Sequence, residues 1–199
     1  IMVSVFVLDI IAVLTANKHV NEIPIKKETF KNEYSDDKIH FLNTANSDCI
    51  LLESNGHFAL IDSGEGDNNP RRKTEYEGYE DEVIGYIQKI CSDHTGQVNL
   101  DFILATHMHY DHSGNFEPII NHKDIHIKKA YLKNYDKDAT SDIDSDAWGN
   151  YNTYKKILSA LDENKVEIIQ NLPEKEFNFG DFTLKLVNTN TPKSVQRAG

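Results

Sequence analysis

ATHMHYDHSGN, residues 105–115, decides how the rest of the chain is read. His107, His109, Asp111 and His112 fall within six positions, directly behind the apolar run LDFILA. In an extended segment, side chains two apart point the same way, so His107 and His109 share one direction. Asp111 and His112 lie just beyond, where the chain turns toward a helix, and face a neighbouring position. Imidazole nitrogen and carboxylate oxygen are the donors zinc prefers, and a catalytic site keeps one position open for water. Two ions about 3.5–4 Å apart clamp the attacking and leaving oxygens of a displacement. Packing or a solvated face does not account for such a cluster at a strand exit. By contrast His40, His57, His94, His122 and His126 have no partner at ligand spacing and read as ordinary surface histidines.

Upstream of the motif, IHFLN and CILLES read as strands, and HFALID follows after Asn55-Gly56. Asn-Gly between two apolar runs is a hairpin signal, because both turn residues need positive φ. GEGDNNPRRKTEYEGYE reads as a long polar loop. In DEVIGYIQKIC, Val83, Ile84, Ile87 and Cys91 recur at helical spacing behind an acidic start, as the helix dipole favours. Downstream, GNFEPIINH predicts a short helix, IHIKKAYL a strand and VEIIQ another. DSDAWGNYNTYKKILSALDEN predicts a helix with Tyr151, Tyr154, Ile157, Leu158 and Leu161 on one stripe. EFNFGDFTLKLVN predicts a hairpin turning at Gly180-Asp181. Hairpins first and alternating strands and helices afterwards give an α/β architecture, a mixed sheet with helices on its outer face.

The 199 residues suffice for one domain with a core. With 21 Lys and Arg against 32 Asp and Glu the net charge is −11, which argues against nucleic acid and anionic membranes as partners. Cys49 and Cys91 read as two buried free thiols; a disulfide is the alternative if the chain is exported. Residues 1–16, IMVSVFVLDIIAVLTA, are short for a membrane span and suit the apolar core of an export signal cleaved after Ala16. A buried first strand or helix is the alternative. Residues 17–37 read as a linker, and the expected destination is secretion or the cell surface, without stable membrane insertion after processing.

THMHYDH resembles the His-x-His-x-Asp-His motif of the metallo-β-lactamase superfamily, and FALIDSG resembles that family's earlier strand ending in Asp-x-Gly. The resemblance implies an αββα sandwich in which His107 and His109 bind a first zinc ion. Asp111 and His112 would serve a second ion or proton transfer, which makes Asp111 the candidate catalytic group. Asp62 would orient the site through hydrogen bonds. KIHFLN, SDCILLESNGHFALIDSGEG, AYLKNY and IIQNLPEKEFNFGDFTLKL further resemble the teichoic-acid phosphorylcholine esterases, two-zinc surface enzymes of this fold. That likeness runs from about Lys38 to Val187 and implies a choline-bearing cell-wall polymer or small-molecule substrate.

The family also uses a later histidine, a bridging aspartate and a final histidine, none of which has a match after His112. Gly180-Asp181 is a Gly-Asp pair but reads as a hairpin turn. Residues 38–199 are therefore expected to be the N-terminal portion of the domain, half a sandwich with an incomplete metal site. For the substrate, aromatic faces bind quaternary ammonium. Trp148 at a helix start is the candidate, while Tyr151 and Tyr154 fit the helix's buried stripe. Competing expectations are a nuclease, competence-type hydrolase or β-lactamase of the same fold, and a non-catalytic module holding choline-bearing polymers in a degenerate pocket.

Overall fold

The β2–β3 hairpin organises the sheet. Strand β2 (Ile50–Ser54) pairs antiparallel with β3 (His57–Ile61), and Ser54 sits opposite His57. The turn residues Asn55 and Gly56 have φ of 50° and 78°, the pair of positive angles that Asn-Gly adopts at least cost. In this computed structural model, residues 37–67, 78–135, 149–187 and 189 are described; all belong to the unit Ser35–Gly199. The expected export signal, most of the expected linker and Trp148 lie outside the described residues.

Strand β1 (Lys38–Phe41) lies antiparallel on β2 and forms one edge. Beyond β3 the sheet turns parallel through β5 (Phe102–Leu104), β7 (Lys129–Tyr131) and β8 (Glu167–Ile169). The six-strand order is β1-β2-β3-β5-β7-β8. Helix α1 (Glu80–Cys91) connects β3 to the next strands. Two short helices, α2 (Tyr110–Ser113) and α3 (Phe116–Ile120), follow β5, and α4 (Asn150–Glu163) precedes β8. This mixed α/β arrangement is the expected class.

Strand alternation sorts the core into two layers. Leu51, Leu60, Ile103 and Ala130 face the helices, where they meet Val83 and Ile87 of α1 and Ile157 and Leu161 of α4. Leu52, Ala59, Phe102, Leu104 and Tyr131 face the other way. That second face is partly covered by a hairpin of β9 (Phe177–Phe179) and β10 (Phe182–Leu184), whose Phe179 packs on Phe102 at 5.4 Å between ring centroids. The hairpin turns at Gly180, φ 53°, and Asp181 donates its amide to Ser54 Oγ at 2.8 Å. Gly180-Asp181 is thus a turn, as read from the sequence.

Three expectations need correction. IHIKKAYL is not one strand: β6 (Ile125–Ile127) pairs with β4 (Val98–Leu100) in a separate two-stranded sheet, and β7 joins the main one. The switch falls at Lys128, whose ammonium pairs with the Asp101 carboxylate at the matching break between β4 and β5. Second, the buried stripe of α4 is rotated from the expected one. Thr153 and Ala160 are buried, whereas Tyr151 and Leu158 are half-buried. Third, His40 is no surface histidine. Its Nε2 meets Glu53 Oε2 at 3.0 Å and its Nδ1 meets Tyr86 Oη at 2.9 Å, tying β1 to β2 and α1. His57 and His126 are exposed but partnered, by Asp101 at 2.5 Å and Gln97 at 2.9 Å.

Cys49 and Cys91 are free and buried. Burial, helped by the charge of Asp62, pushes the Cys49 thiol up to about 12; burial and Glu53 do the same for Cys91. Reactivity follows the thiolate. An aromatic disulfide reagent at neutral pH is therefore expected to leave both thiols untouched in the folded chain and to label both in concentrated urea. Prompt labelling of the native protein would contradict this packing.

Candidate metal centre

The centre is assembled at the carboxyl ends of the parallel strands. Strand β3 runs into Asp62, which takes φ 53°. An Asp tolerates this left-handed conformation better than most residues. The Asp62 amide donates to Leu104 O at 2.8 Å, fixing the exit of β3 against that of β5. Two residues past β5, Thr106 donates its amide to Asp62 Oδ1 at 2.8 Å and its hydroxyl to Oδ2 at 2.6 Å. His107 follows, and His109 opens α2, accepting at its carbonyl from the amides of His112 and Ser113 at 3.0 Å each.

The glycines flanking Glu65 and the motif let these two loops touch. Gly114 donates its amide to Gly64 O at 3.1 Å, and a Cβ on Gly66 would stand 2.5 Å from Gly114 O. Buried Asn115 ties the loops further, donating its side-chain amide to Ser63 O at 2.8 Å and Glu65 O at 3.0 Å. Ser63 donates its amide to His112 O at 2.7 Å.

Asp62, only 3% exposed, sets the chemistry of two imidazoles. The single hydroxyl hydrogen of Thr106 goes to the Asp62 carboxylate, which only accepts. Thr106 Oγ1 must then accept from His107 Nδ1, 3.0 Å away, which leaves the His107 Nε2 lone pair free. That Nε2 faces His109 Nδ1 at 3.2 Å. Asp62 Oδ2 also accepts from His112 Nδ1 at 2.9 Å, which leaves His112 Nε2 pointing at Asp111 Oδ2, 3.7 Å off. The His107 ring lies 4.7 Å from that of His109 and 3.9 Å from that of His112, centroid to centroid.

This donor set fits zinc. Two nitrogens on one tetrahedral ion stand roughly 3.3 Å apart, given Zn–N of about 2.0–2.1 Å, and the His107–His109 separation is 3.2 Å. A neutral His112 nitrogen facing a carboxylate sets two lone pairs against each other, a gap that only a cation or a proton relieves. Asp62, His107 and His112 also each offer a donor atom within 4.8 Å of one another. The oxygens of Asp62 already accept three hydrogen bonds, however, so it fits a supporting role better than direct ligation.

Burial and the neighbouring His112 and His109 push His107 down to about 4. Burial also pulls on His112, but the Asp62 hydrogen bond and charge, with Asp111 and Asp48, outweigh it and hold this imidazole above its ordinary value. The signs are opposite. His107 is depressed below its unfolded 6.5, so its contribution to stability is lost as pH falls from 6.5 through about 4. His112 is raised, so its contribution is lost as pH climbs through its folded value. In chelator, the melting temperature of the wild-type chain is expected to fall across pH 6.5 to 4, and His107→Ala to flatten that decline. A parallel decline in the variant would remove His107 as its source.

Residues 42–168 match the sequence profile of the metallo-beta-lactamase superfamily. The chain belongs to this superfamily. Its members are metal-dependent hydrolases, and the mixed α/β fold agrees. Similar solved structures include the hydrolase AbOPH of the beta-lactamase superfamily, at 16% identity and TM-score 0.44, over 65% of this chain and 44% of that one. AidC, a dizinc quorum-quenching lactonase, aligns at 14% identity and TM-score 0.37, over 63% of this chain and 43% of that one. An N-acyl homoserine lactone hydrolase with product at its catalytic metal centre aligns at 13% identity and TM-score 0.26, over 61% and 78%. The chain thus spans less than half the length of the first two. Comparison with curated proteins finds no match.

All four motif residues and Asp62 are brought together. Tyr154 is buried, donating to Asn134 at 3.2 Å and accepting from Gln170 at 3.0 Å. Tyr151 carries the Lys155 ammonium 5.0 Å from its ring centroid. Sequence reasoning missed Thr106 and Asp48. Thr106 sits immediately before the motif, where a hydroxyl beside the first histidine is the available signal. Asp48, whose Oδ2 is 3.5 Å from His112 Nδ1, carries no local sequence signal.

Proposed function

We propose that this chain forms the metal-binding part of a two-zinc hydrolase that cleaves a phosphodiester, with a phosphorylcholine ester on an exported cell-surface polymer as the leading candidate. The observation that carries the hydrolase reading is the Asp62 network, which leaves His107 Nε2 and His112 Nε2 as free donors beside His109 and Asp111. His107 and His109 would hold the first ion, and Asp111 and His112 the second. Asp62 would keep both tautomers fixed directly and through Thr106. Zinc bound there supplies Lewis acidity and activates water at neutral pH. Asp111 Oδ2, at the edge of the donor set, is the group placed to take up or orient the proton of the nucleophile.

The choline ester and the cell-surface setting are supported by the resemblance of the flanking segments and by the apolar leading stretch. Elemental analysis of the purified chain should show bound zinc, and a form that also carries the family's later histidines and bridging aspartate should hydrolyse p-nitrophenyl phosphorylcholine in a chelator-sensitive way. Zinc without turnover on this ester, but with turnover on bis(p-nitrophenyl) phosphate or a lactone, would redirect the substrate assignment. No stoichiometric metal at all would leave a binding module.

A further inference from the structure

We infer that Asp48 selects substrates that carry a positive charge close to the scissile bond. The inference rests on the hydrolase reading above and concerns the same site. Asp48 lies on the connection between β1 and β2, and its carboxylate reaches the rim of the imidazole cluster. Its Oδ2 is 3.5 Å from His112 Nδ1, beyond good hydrogen-bond range, and that N–H already donates to Asp62 at 2.9 Å. The side chain is 66% exposed, against 4% for Asp62. It flanks the tethered nitrogen of His112, not the Nε2 that faces Asp111, so it stands outside the donor set.

The loop that carries the carboxylate is nonetheless held in place. Asp48 O accepts from the Gly64 amide at 2.8 Å, and Leu42 donates to Cys49 O at 3.0 Å. Between them Thr44 and Ser47 exchange side-chain hydrogen bonds, Thr44 Oγ1 to Ser47 O at 3.0 Å and Ser47 Oγ to Thr44 O at 2.5 Å. Ser47 Oγ also accepts from the Glu65 amide at 3.1 Å. The loop is therefore stapled to the strand exit that carries Asp62. Among the described residues, no lysine or arginine pairs with Asp48.

An exposed carboxylate on an anchored loop, with no lysine or arginine partner among the described residues, is an odd neighbour for an anionic ester. It repels the phosphoryl group, and an approach within a few ångströms weakens binding by about five- to tenfold at a solvated site. The sign reverses if the substrate carries an ammonium group beside the phosphoryl. Then the same charge attracts the substrate and rejects anions that lack the cation, which is discrimination by repulsion as well as attraction.

The test uses two compounds that share the phosphate and differ in the cation, phosphorylcholine and methyl phosphate, titrated calorimetrically into the zinc-loaded chain. Wild type should favour phosphorylcholine. Asp48→Asn should lose about five- to tenfold for phosphorylcholine and bind methyl phosphate equally or more tightly, because attraction and repulsion vanish together. In wild type the preference should shrink as salt rises, a readout that does not depend on how well the variant folds. Equal binding of the two compounds by wild type, binding of neither, a salt-independent preference, or a parallel loss for both in Asp48→Asn overturns the inference. The hydrolase reading fails separately. Selective binding without turnover leaves Asp48's role standing, and turnover without selectivity leaves the hydrolase standing.

Discussion

Replacing His109 with alanine is expected to lower zinc affinity by more than about 100-fold, since even residues that only support a ligand are worth about 10- to 100-fold. The substitution removes the Nδ1 that stands 3.2 Å from His107 Nε2. It leaves the backbone carbonyl that caps α2, which accepts from His112, Ser113 and the Ser113 hydroxyl. The helix should therefore survive, and circular dichroism should be unchanged. Competition against a chromophoric chelator reads the affinity. His57→Ala, at the opposite end of β3, serves as the comparison and should bind zinc as wild type does. Equal affinity in the two variants would remove His109 from the ligand set.

The second large effect is expected at Asp62. Alanine there strands the Thr106 amide and the His112 Nδ1 hydrogen, both satisfied by this carboxylate at 2.8 and 2.9 Å. It also asks a residue less suited to positive φ to hold 53°. Stranding two donors that served a buried carboxylate costs about 3 kcal/mol or more. Zinc affinity should fall about 10- to 100-fold at the same time, because both imidazoles lose their fixed tautomers. Asp62→Asn separates the two losses. It keeps the shape and the tolerance for positive φ, so urea unfolding should show most of the stability retained while zinc affinity still drops. Should Asp62→Asn bind zinc like wild type, the carboxylate's charge would be irrelevant and the orienting role would fail.

The sequence made the site legible because its donors are local. His107, His109, Asp111 and His112 fall in one turn-forming stretch, and their residue types alone suggest a metal. Asn55-Gly56 announced the hairpin for the same reason, as a requirement satisfied within two residues. What stayed hidden depends on distant partners. Thr106 matters because Asp62, 44 positions away, takes its hydrogen. Asp48 matters only because Gly64 anchors its carbonyl. The division of IHIKKAYL between two sheets coincides with the Lys128–Asp101 pair, and apolar periodicity does not register an ion pair across strands. His40 looked like a surface residue because nothing near it in sequence reveals Glu53 or Tyr86.

The parallel strands β3 and β5 end at Asp62 and Thr106–His107, so the metal donors hang from the sheet itself, whereas Asp48 arrives on a separate connection. For an engineer this is a modular chassis. A library confined to the β1–β2 connection can re-tune which molecules are admitted while the reactive cluster keeps its geometry. A library over residues 105–115 has no such freedom, because the positions there either supply or support metal donors or, as at Met108, Tyr110, Ser113 and Asn115, are buried in the fold. Evolvability in this chain is therefore concentrated at the rim, and randomised clones should divide accordingly: altered preference from one region, lost metal from the other.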